Sequence, residues 1–238
     1  MIIQFATDIG LIRNVNEDNL AIIEPDTFVV ADGMGGQSAG EIASQMLTDT
    51  VKEELKKYST IGTAELRRAL AISNTAIYAA ASENVNYSGM GTTATLLHIE
   101  NGKAFWVHVG DSRLYLYRDG KLKQLTKDHS YVTELLELGE ITEEEASTHP
   151  QKNLLLRAIG VEQYVQIDSG EMPLEVNDVF LLATDGLMKM VSDEKIAAFL
   201  AKLPDNNVVQ ELIDASLASG GIDNVTAIVV VNNNAKNS

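Results

Sequence analysis

The stretch FVVADGMGGQSAG, residues 28–40, joins an apolar run to a carboxylate and four glycines. Its first four residues, which include two valines and a phenylalanine, have the composition of a buried strand that ends at Asp32. A carboxylate at the end of a buried strand is costly unless it is paired or bound to a metal ion. Glycine lets the backbone approach a ligand closely, because it carries no side chain. The stretch therefore predicts a strand that ends at a binding site.

Five other acids lie at the ends or starts of apolar runs. Asp111 ends FWVHVGD, Asp185 ends VFLLATD, and Asp223 opens the last apolar segment, in GGIDNVTAIVVV. Glu17 and Asp18 lie directly before another predicted strand. Any one Asp-Gly pair fits an ordinary turn, but these strands are apolar enough to be covered on both faces. We therefore expect the acids to converge at one place.

Converging carboxylates with few basic neighbours indicate a hard cation with oxygen ligands, such as Mg²⁺ or Mn²⁺. Two such ions about 3.5–4 Å apart lower the pKa of a shared water toward ~7, so no side-chain nucleophile is required. Asp32 is placed to bridge both ions, and the carbonyl of Gly33 can serve as a further ligand. Arg13, shortly before Glu17 and Asp18, suits the oxygens of a phosphate group.

The order of elements predicts an α+β fold with antiparallel sheets and helices packed outside them, because strands and helices come in separate blocks. Strands are predicted at 1–5, 19–23, 27–31, 93–99, 103–109, 113–125, 164–170, 178–186 and 224–231, and helices at 42–55, 66–80, 192–203 and 205–218. Thr63 is the predicted cap of the second helix, and Thr142 with Glu145 has a capping-box pattern. Asp119-Gly120, between two alternating runs, predicts a hairpin.

Composition limits the class of protein. The chain has 238 residues and a net charge of −16, which disfavours nucleic acid and anionic membranes as partners. The absence of cysteine excludes disulfides, zinc–thiolate sites and cysteine nucleophiles, and it fits a reducing compartment. No secretory signal and no apolar run of roughly 18 residues occur. We expect a monomeric cytoplasmic protein with a single domain at 1–232 and a flexible tail at 233–238.

Eight motifs in family order, over nearly the whole chain, resemble those of the bacterial metal-dependent (type 2C) serine/threonine protein phosphatases. They are TDIGLIRNVNED (7–18), VVADGMGGQSAGEIAS (29–44), GMGTTAT (89–95), VGDSRLYLYRDG (109–120), LTKDHS (125–130), THPQKNLLLRAIG (148–160), LLATDGL (181–187) and GGIDNVTAIVV (220–230). The resemblance implies an α-β-β-α sandwich of two mainly antiparallel sheets flanked by helix pairs. It places the metals in a channel at one end, beside a flap near 130–160.

The resemblance also implies a metal-ligand set. Asp32 would bridge two Mn²⁺ or Mg²⁺ ions. Asp185 and Asp223 would complete one ion, and Glu17 with the Gly33 carbonyl would complete the other.

Further roles follow from the same resemblance. Asp18 would hold a metal-bound water from outside the ligand set, and Arg13 would bind the substrate phosphate. Asp111 would join Asp185 at a third, weaker metal site. The implied reaction is hydrolysis of phosphoserine and phosphothreonine monoesters on proteins, which reverses the action of a cognate serine/threonine kinase. The flap would influence substrate choice.

The chain departs from part of the family at one position. Some members carry histidine after the Asp-Gly pair, where it can act as general acid to the leaving alkoxide, and this chain has Met34. The proton donor could then be a metal-bound water or a flap histidine, His129 or His149, although a structural role fits His129 equally well.

Three alternatives stay open. The first is a pseudo-phosphatase that binds partners without turnover, against which the complete set of predicted ligands argues. The second is another two-metal hydrolase such as a nuclease, which the acidic charge disfavours. The third is a phosphoaspartate enzyme, which would need a D-x-D pair at a strand end that the chain lacks.

Overall fold

A computed structural model describes residues 1–24, 26–36, 39–204 and 206–233 of the chain. Eleven strands and seven α-helices lie within these ranges. The strands are β1 (Ile2–Asp8), β2 (Asp18–Ile23), β3 (Thr27–Met34), β4 (Gly91–Thr92), β5 (Ala94–Glu100), β6 (Lys103–Val109), β7 (Arg113–Arg118), β8 (Lys121–Gln124), β9 (Asp168–Pro173), β10 (Val179–Ala183) and β11 (Val225–Val231). The helices are α1 (Ala39–Leu55), α2 (Thr63–Glu83), α3 (Tyr131–Glu137), α4 (Glu143–Thr148), α5 (Asp185–Met188), α6 (Asp193–Leu200) and α7 (Val208–Ala218).

Two sheets form the centre of the molecule. The first has the strand order β1-β11-β10-β7-β8, and the second has the order β2-β3-β5-β6-β9, with β4 paired to β3. All of these strand pairs are antiparallel. Asp119 and Gly120 both have positive φ between β7 and β8, as a tight hairpin turn requires. The predicted hairpin is therefore confirmed.

Apolar side chains fill three layers. Phe28 and Val30 of β3 share the layer between the sheets with Phe180 and Leu182 of β10. The opposite face of the second sheet is covered by α1 and α2, and the outer face of the first sheet is covered by α5, α6 and α7. Since side chains alternate between the two faces of a strand, both sheets are buried on both sides. The predicted α-β-β-α sandwich is confirmed.

Some predicted strand and helix boundaries are wrong, and two of them concern predicted site residues. Asp32 does not end its strand, because β3 continues to Met34 in its pairing with β4. Asp185 is the first residue of α5 and not the last residue of a strand. Strand β9 begins at Asp168, later than predicted. The last two helices, α6 and α7, are also shorter than predicted.

The helix caps agree with the sequence in one of two cases. Thr63 is not the cap of α2, because Gly62 occupies that position and its N–H donates to the Glu65 carboxylate at 2.9 Å. The Glu65 carboxylate thus satisfies the N–H of the cap residue, whereas the hydroxyl of Thr63 was expected to accept from an N–H of the first helical turn. The capping box of Thr142 and Glu145 at the start of α4 is confirmed.

The two ends of the chain meet in the first sheet. Strand β1 pairs along its whole length with β11. The predicted tail, residues 233–238, lies outside the described residues beyond position 233. In the part of the chain that the structure describes, no helix is both long and apolar enough to cross a membrane.

Candidate active site

A cavity of about 440 Å³ opens where strands of both sheets end. Its walls come from the segment before β2, the end of β3, the loop after β6, the start of α5 and the segment before β11. All of the predicted site residues except Asp18 line it, namely Arg13, Glu17, Asp32, Gly33, Asp111, Asp185 and Asp223. Acids that are scattered over most of the sequence are therefore brought together in space.

Asp18 is buried at the start of β2, and its Cα pairs with that of Asp32 on β3. Its Oδ2 accepts a hydrogen bond of 2.7 Å from Thr184 Oγ1, while its Oδ1 is buried without a hydrogen-bond partner among the described residues. Burial raises the pKa of Asp18 to about 7, with the charges of Asp185 and Asp223 adding to the effect despite the hydrogen bond. Asp18 therefore lies close to the other acids without lining the cavity.

The acids that line the cavity also disfavour one another's charge. Burial raises the pKa of Asp32 well above its ordinary value, and the carboxylates of Asp18, Asp185 and Asp111 add to it. Burial, followed by the charge of Asp185, raises the pKa of Asp111 to about 8. Such a group of carboxylates is stabilised by protons or by cations.

Two basic residues, Arg13 and Lys189, contact these acids directly. Arg13 Nη2 lies 2.8 Å from Asp223 Oδ1, and Lys189 Nζ lies 3.1 Å from Asp223 Oδ2 and 2.5 Å from Asp185 Oδ2. The expectation of few basic neighbours is wrong for this pair of acids. Lys189 was not predicted as a site residue, although its i,i+4 spacing from Asp185 is a sequence signal for an ion pair on a helix.

Glu17 reaches the cavity beside the start of α1. Its carbonyl oxygen accepts from the Gly33 N–H at 3.1 Å and from the Ser44 hydroxyl at 2.7 Å. Burial raises the pKa of Glu17, and Arg13 opposes that rise. A Cβ at Gly33 would lie 2.0 Å from the carbonyl oxygen of Gly40. Only glycine therefore lets β3 and α1 approach each other this closely at the site.

Asn224 ties the segment before β2 to the start of β11. Its Nδ2 donates to the carbonyl oxygens of Ile9 at 2.9 Å and Val15 at 3.0 Å, and its Oδ1 accepts from the Glu17 N–H at 2.9 Å. Asn224 was not predicted as a site residue. Its sequence signal is an amide, able both to donate and to accept, directly after Asp223.

A second cavity, of about 610 Å³, adjoins the first and lies between the body and the predicted flap. The residues common to both cavities are Arg13, Asp111, Asn153, Asp185, Lys189 and Asp223. The second cavity is lined by Val132 and Leu136 of α3 on the flap side. On the body side it is lined by Met188, Met190 and Ile222. The flap contains α3 and α4, and its influence on substrate choice stays a prediction.

The two flap histidines lie outside the residues that line these two cavities. His129 is buried, its Nδ1 accepts from the Gly110 N–H at 3.1 Å, and its Nε2 lies 3.2 Å from Asp168 Oδ2. His149 follows α4, and its Nδ1 accepts from the Gln151 N–H. These contacts favour a structural role for both histidines over proton donation in the cavity.

The donors around the cavity fit divalent cations that prefer oxygen. Asp18 Oδ1 and Asp185 Oδ1 are buried and have no hydrogen-bond partner in the described structure. Carboxylate and carbonyl oxygens are the ligands that Mg²⁺ and Mn²⁺ prefer. Among the described residues, however, no three histidine, aspartate or glutamate side chains are already arranged so that they could hold a metal ion. The assignment of individual ligands therefore stays a prediction.

The raised pKa values predict how stability depends on pH in EDTA. The pKa values of Asp18 and Asp111 rise from 3.8 to about 7 and about 8 in the folded protein, so the folded state binds more protons than the unfolded state. Their contribution to stability is complete below the unfolded value and is lost as pH rises through the folded values. We expect urea unfolding between pH ~5 and ~9 to show this loss, with a shallower slope in Asp18→Asn. Equal slopes in both proteins would contradict the prediction.

Comparison with known proteins places the fold and the cavity in a family. Residues 13–219 match the family model for protein phosphatase 2C. The chain is 38% identical over 240 residues to the serine/threonine phosphatase stp of Listeria welshimeri, with 97% of this chain and 95% of the relative covered. The chain therefore belongs to the protein phosphatase 2C family, and the predicted family and enzyme class are confirmed.

Solved structures agree with this assignment. The crystal structure of the serine/threonine phosphatase PstP/Ppp of Mycobacterium tuberculosis has a TM-score of 0.88 and 37% identity, with 96% of this chain and 98% of that chain covered. A crystal structure of the PstP catalytic domain in complex with two manganese ions has a TM-score of 0.88 and 36% identity, with 96% of each chain covered.

Proposed function

We propose that this chain hydrolyses phosphoserine and phosphothreonine monoesters on proteins with Mn²⁺ or Mg²⁺ as cofactor. The observation that carries the proposal is the convergence of Glu17, Asp32, Asp185 and Asp223 around one cavity that Arg13 also lines. Membership of the protein phosphatase 2C family supports the same reaction. The manganese pair in the structure of the PstP catalytic domain supports the cofactor.

The residues around the cavity would serve as ligands to different metal ions. Asp32 would bridge two ions. Asp185 and Asp223 would complete one, Glu17 and the Gly33 carbonyl would complete the other, and Asp111 with Asp185 would hold a third. The chemistry that such ions supply when bound is the activation of water and the neutralisation of phosphate charge.

The remaining groups would bind and orient the reactants. The Arg13 side chain is 49% exposed and contacts only one oxygen of Asp223, so its guanidinium can reach a phosphate that enters from solvent. Asp18 is fixed by Thr184 through one carboxylate oxygen. Its second oxygen can orient water at the base of the site.

The adjoining cavity would accept the polypeptide on either side of the phosphorylated residue. Because Arg13, Asp111 and Lys189 line both cavities, a protein segment whose phosphate contacts Arg13 also reaches the groove beside the flap. Phosphorylated proteins are therefore the proposed substrates. A cognate serine/threonine kinase and a cytoplasmic location are proposed on the resemblance to the family.

We also propose that residues 1–232 form one catalytic domain. The pairing of β1 with β11 supports this, because the first and last strands belong to the same sheet.

The test of function is phosphate release from a phosphothreonine peptide with Mn²⁺, with Mg²⁺ and with EDTA. We expect release with either metal and none in EDTA, because the carboxylates alone cannot activate water or bind a phosphate dianion. Asp119→Asn, which removes one acid from the exposed hairpin turn, is the matched control and should behave like the parent. Folded protein that releases no phosphate with any metal would favour the alternative of a pseudo-phosphatase that binds partners without turnover.

A further inference from the structure

Lys189 occupies a defined position between two acids of the cavity. It directly follows α5, and its N–H donates to the Asp185 carbonyl oxygen at 2.9 Å. This one-turn spacing brings Nζ to 2.5 Å from Asp185 Oδ2 and 3.1 Å from Asp223 Oδ2. The side chain is 28% exposed. Burial opposes its charge, but Asp185 and Asp223 raise the pKa of Lys189 above its ordinary value, so the ammonium is charged at neutral pH.

The two acids differ in how many of their carboxylate oxygens contact a basic side chain. Asp223 accepts from cations at both oxygens, Arg13 at Oδ1 and Lys189 at Oδ2. Asp185 is paired at Oδ2 only, and its buried Oδ1 has no hydrogen-bond partner in the described structure. A divalent cation that used both acids would meet a free oxygen on Asp185 and a doubly paired carboxylate on Asp223.

We propose that Lys189 competes with metal ions for a site formed by Asp185 and Asp223, and that its ammonium lowers the affinity of that site for Mn²⁺ and Mg²⁺. The inference rests on the proposed function, because it takes Asp185 and Asp223 as ligands. Lys189 therefore acts through these two acids and sets the concentration of free metal that the enzyme needs. Its contribution is separate from that of Arg13, which is more exposed and can turn to the substrate phosphate.

Electrostatics sets the direction of the effect. A divalent cation held by Asp185 and Asp223 would carry two positive charges beside the Lys189 ammonium, because that ammonium already contacts both acids. Repulsion between like charges is stronger in a partly buried site than in bulk water, because the effective dielectric constant is lower. Even if Lys189 swings partly into solvent, we expect its removal to tighten metal binding by about tenfold or more.

The test measures metal binding directly, without catalysis. The Mn²⁺ binding isotherm, followed by the electron paramagnetic resonance signal of free Mn²⁺, is compared for the parent, Lys189→Met and Lys189→Arg. Lys195→Met removes the same charge from the exposed face of α6 and serves as matched control. Lys189→Gln, which keeps a hydrogen-bonding group, replaces the methionine variant if that variant does not fold. Thermal unfolding in EDTA and in Mn²⁺ provides a second readout.

We expect Lys189→Met to bind one class of Mn²⁺ about tenfold or more tightly than the parent, and to gain more in Tm from Mn²⁺. Lys189→Arg and Lys195→Met should stay near the parent. An unchanged dissociation constant in Lys189→Met would overturn the proposal. Unchanged Mn²⁺ affinity with a raised KM for phosphopeptide would also overturn it and would assign Lys189 to phosphate binding. A parent protein that binds no Mn²⁺ would instead refute the proposed function.

Discussion

Asp32→Asn is expected to release phosphate at least about 10³-fold more slowly than the parent, the order of loss that follows removal of an essential electrostatic group from an active site. Asp32 lies at the centre of the acids around the cavity, with Asp18, Asp111 and Asp185 all close enough to raise its pKa. Asparagine keeps the shape of the side chain but removes the charge with which it would bridge two ions. The measurement is kcat on a phosphothreonine peptide at saturating Mn²⁺.

The same variant separates catalysis from folding. Because the pKa of Asp32 is raised in the folded protein, its charge destabilises the fold at neutral pH. We therefore expect the Tm of Asp32→Asn in EDTA to equal or exceed that of the parent, as is common for residues that serve function at a cost in stability. Parent-like turnover by the folded, Mn²⁺-loaded variant would refute the role of Asp32.

Arg13→Ala is expected to raise KM for phosphopeptides by about 10- to 100-fold with a smaller change in kcat, since a hydrogen bond to a charged group contributes about 1.5–3 kcal/mol. Arg13 is half-exposed and lines both cavities, so we expect its main contact with substrate to be with the phosphate as it binds. Steady-state kinetics on a phosphothreonine peptide gives both constants.

Arg13→Lys is the matched control, because it keeps the charge and loses the planar fork that can hold two phosphate oxygens. We expect it to recover part of the lost affinity. A fall in kcat with KM unchanged in Arg13→Ala would show that Arg13 acts only in the transition state and would contradict binding of the ground-state phosphate.

The layers of the fold and the acids of the site were predictable from sequence, because both depend on local patterns. The continuous apolar run in β3 indicates a strand that is buried on both faces, and the helical spacing in α1 and α2 indicates which helix faces are buried. Asp32 and Asp185 stand out because a carboxylate directly after an apolar run has few structural explanations. The convergence of the acids follows from the antiparallel arrangement of their strands.

Contacts that depend on the exact ends of elements were not predictable. Asp32 lies inside β3 because the short β4 pairs with Gly33 and Met34, and a two-residue strand leaves no periodic pattern. Lys189 meets Asp223 only because α5 is so short that it ends beside the segment before β11. Pairs so distant in sequence are set by tertiary packing, which propensity and spacing do not encode.

The pairing of β1 with β11 has a consequence for synthesis of the protein on the ribosome. In the described part of the chain, β11 is the only strand that β1 pairs with, so β1 can enter a sheet only after the polypeptide as far as β11 has been made. Asp223, which lies just before β11, is also the last of the cavity's acids to be made. A nascent chain that ends before β11 therefore cannot assemble the cavity, and we expect dephosphorylation to begin only after Asp223 and β11 have been made.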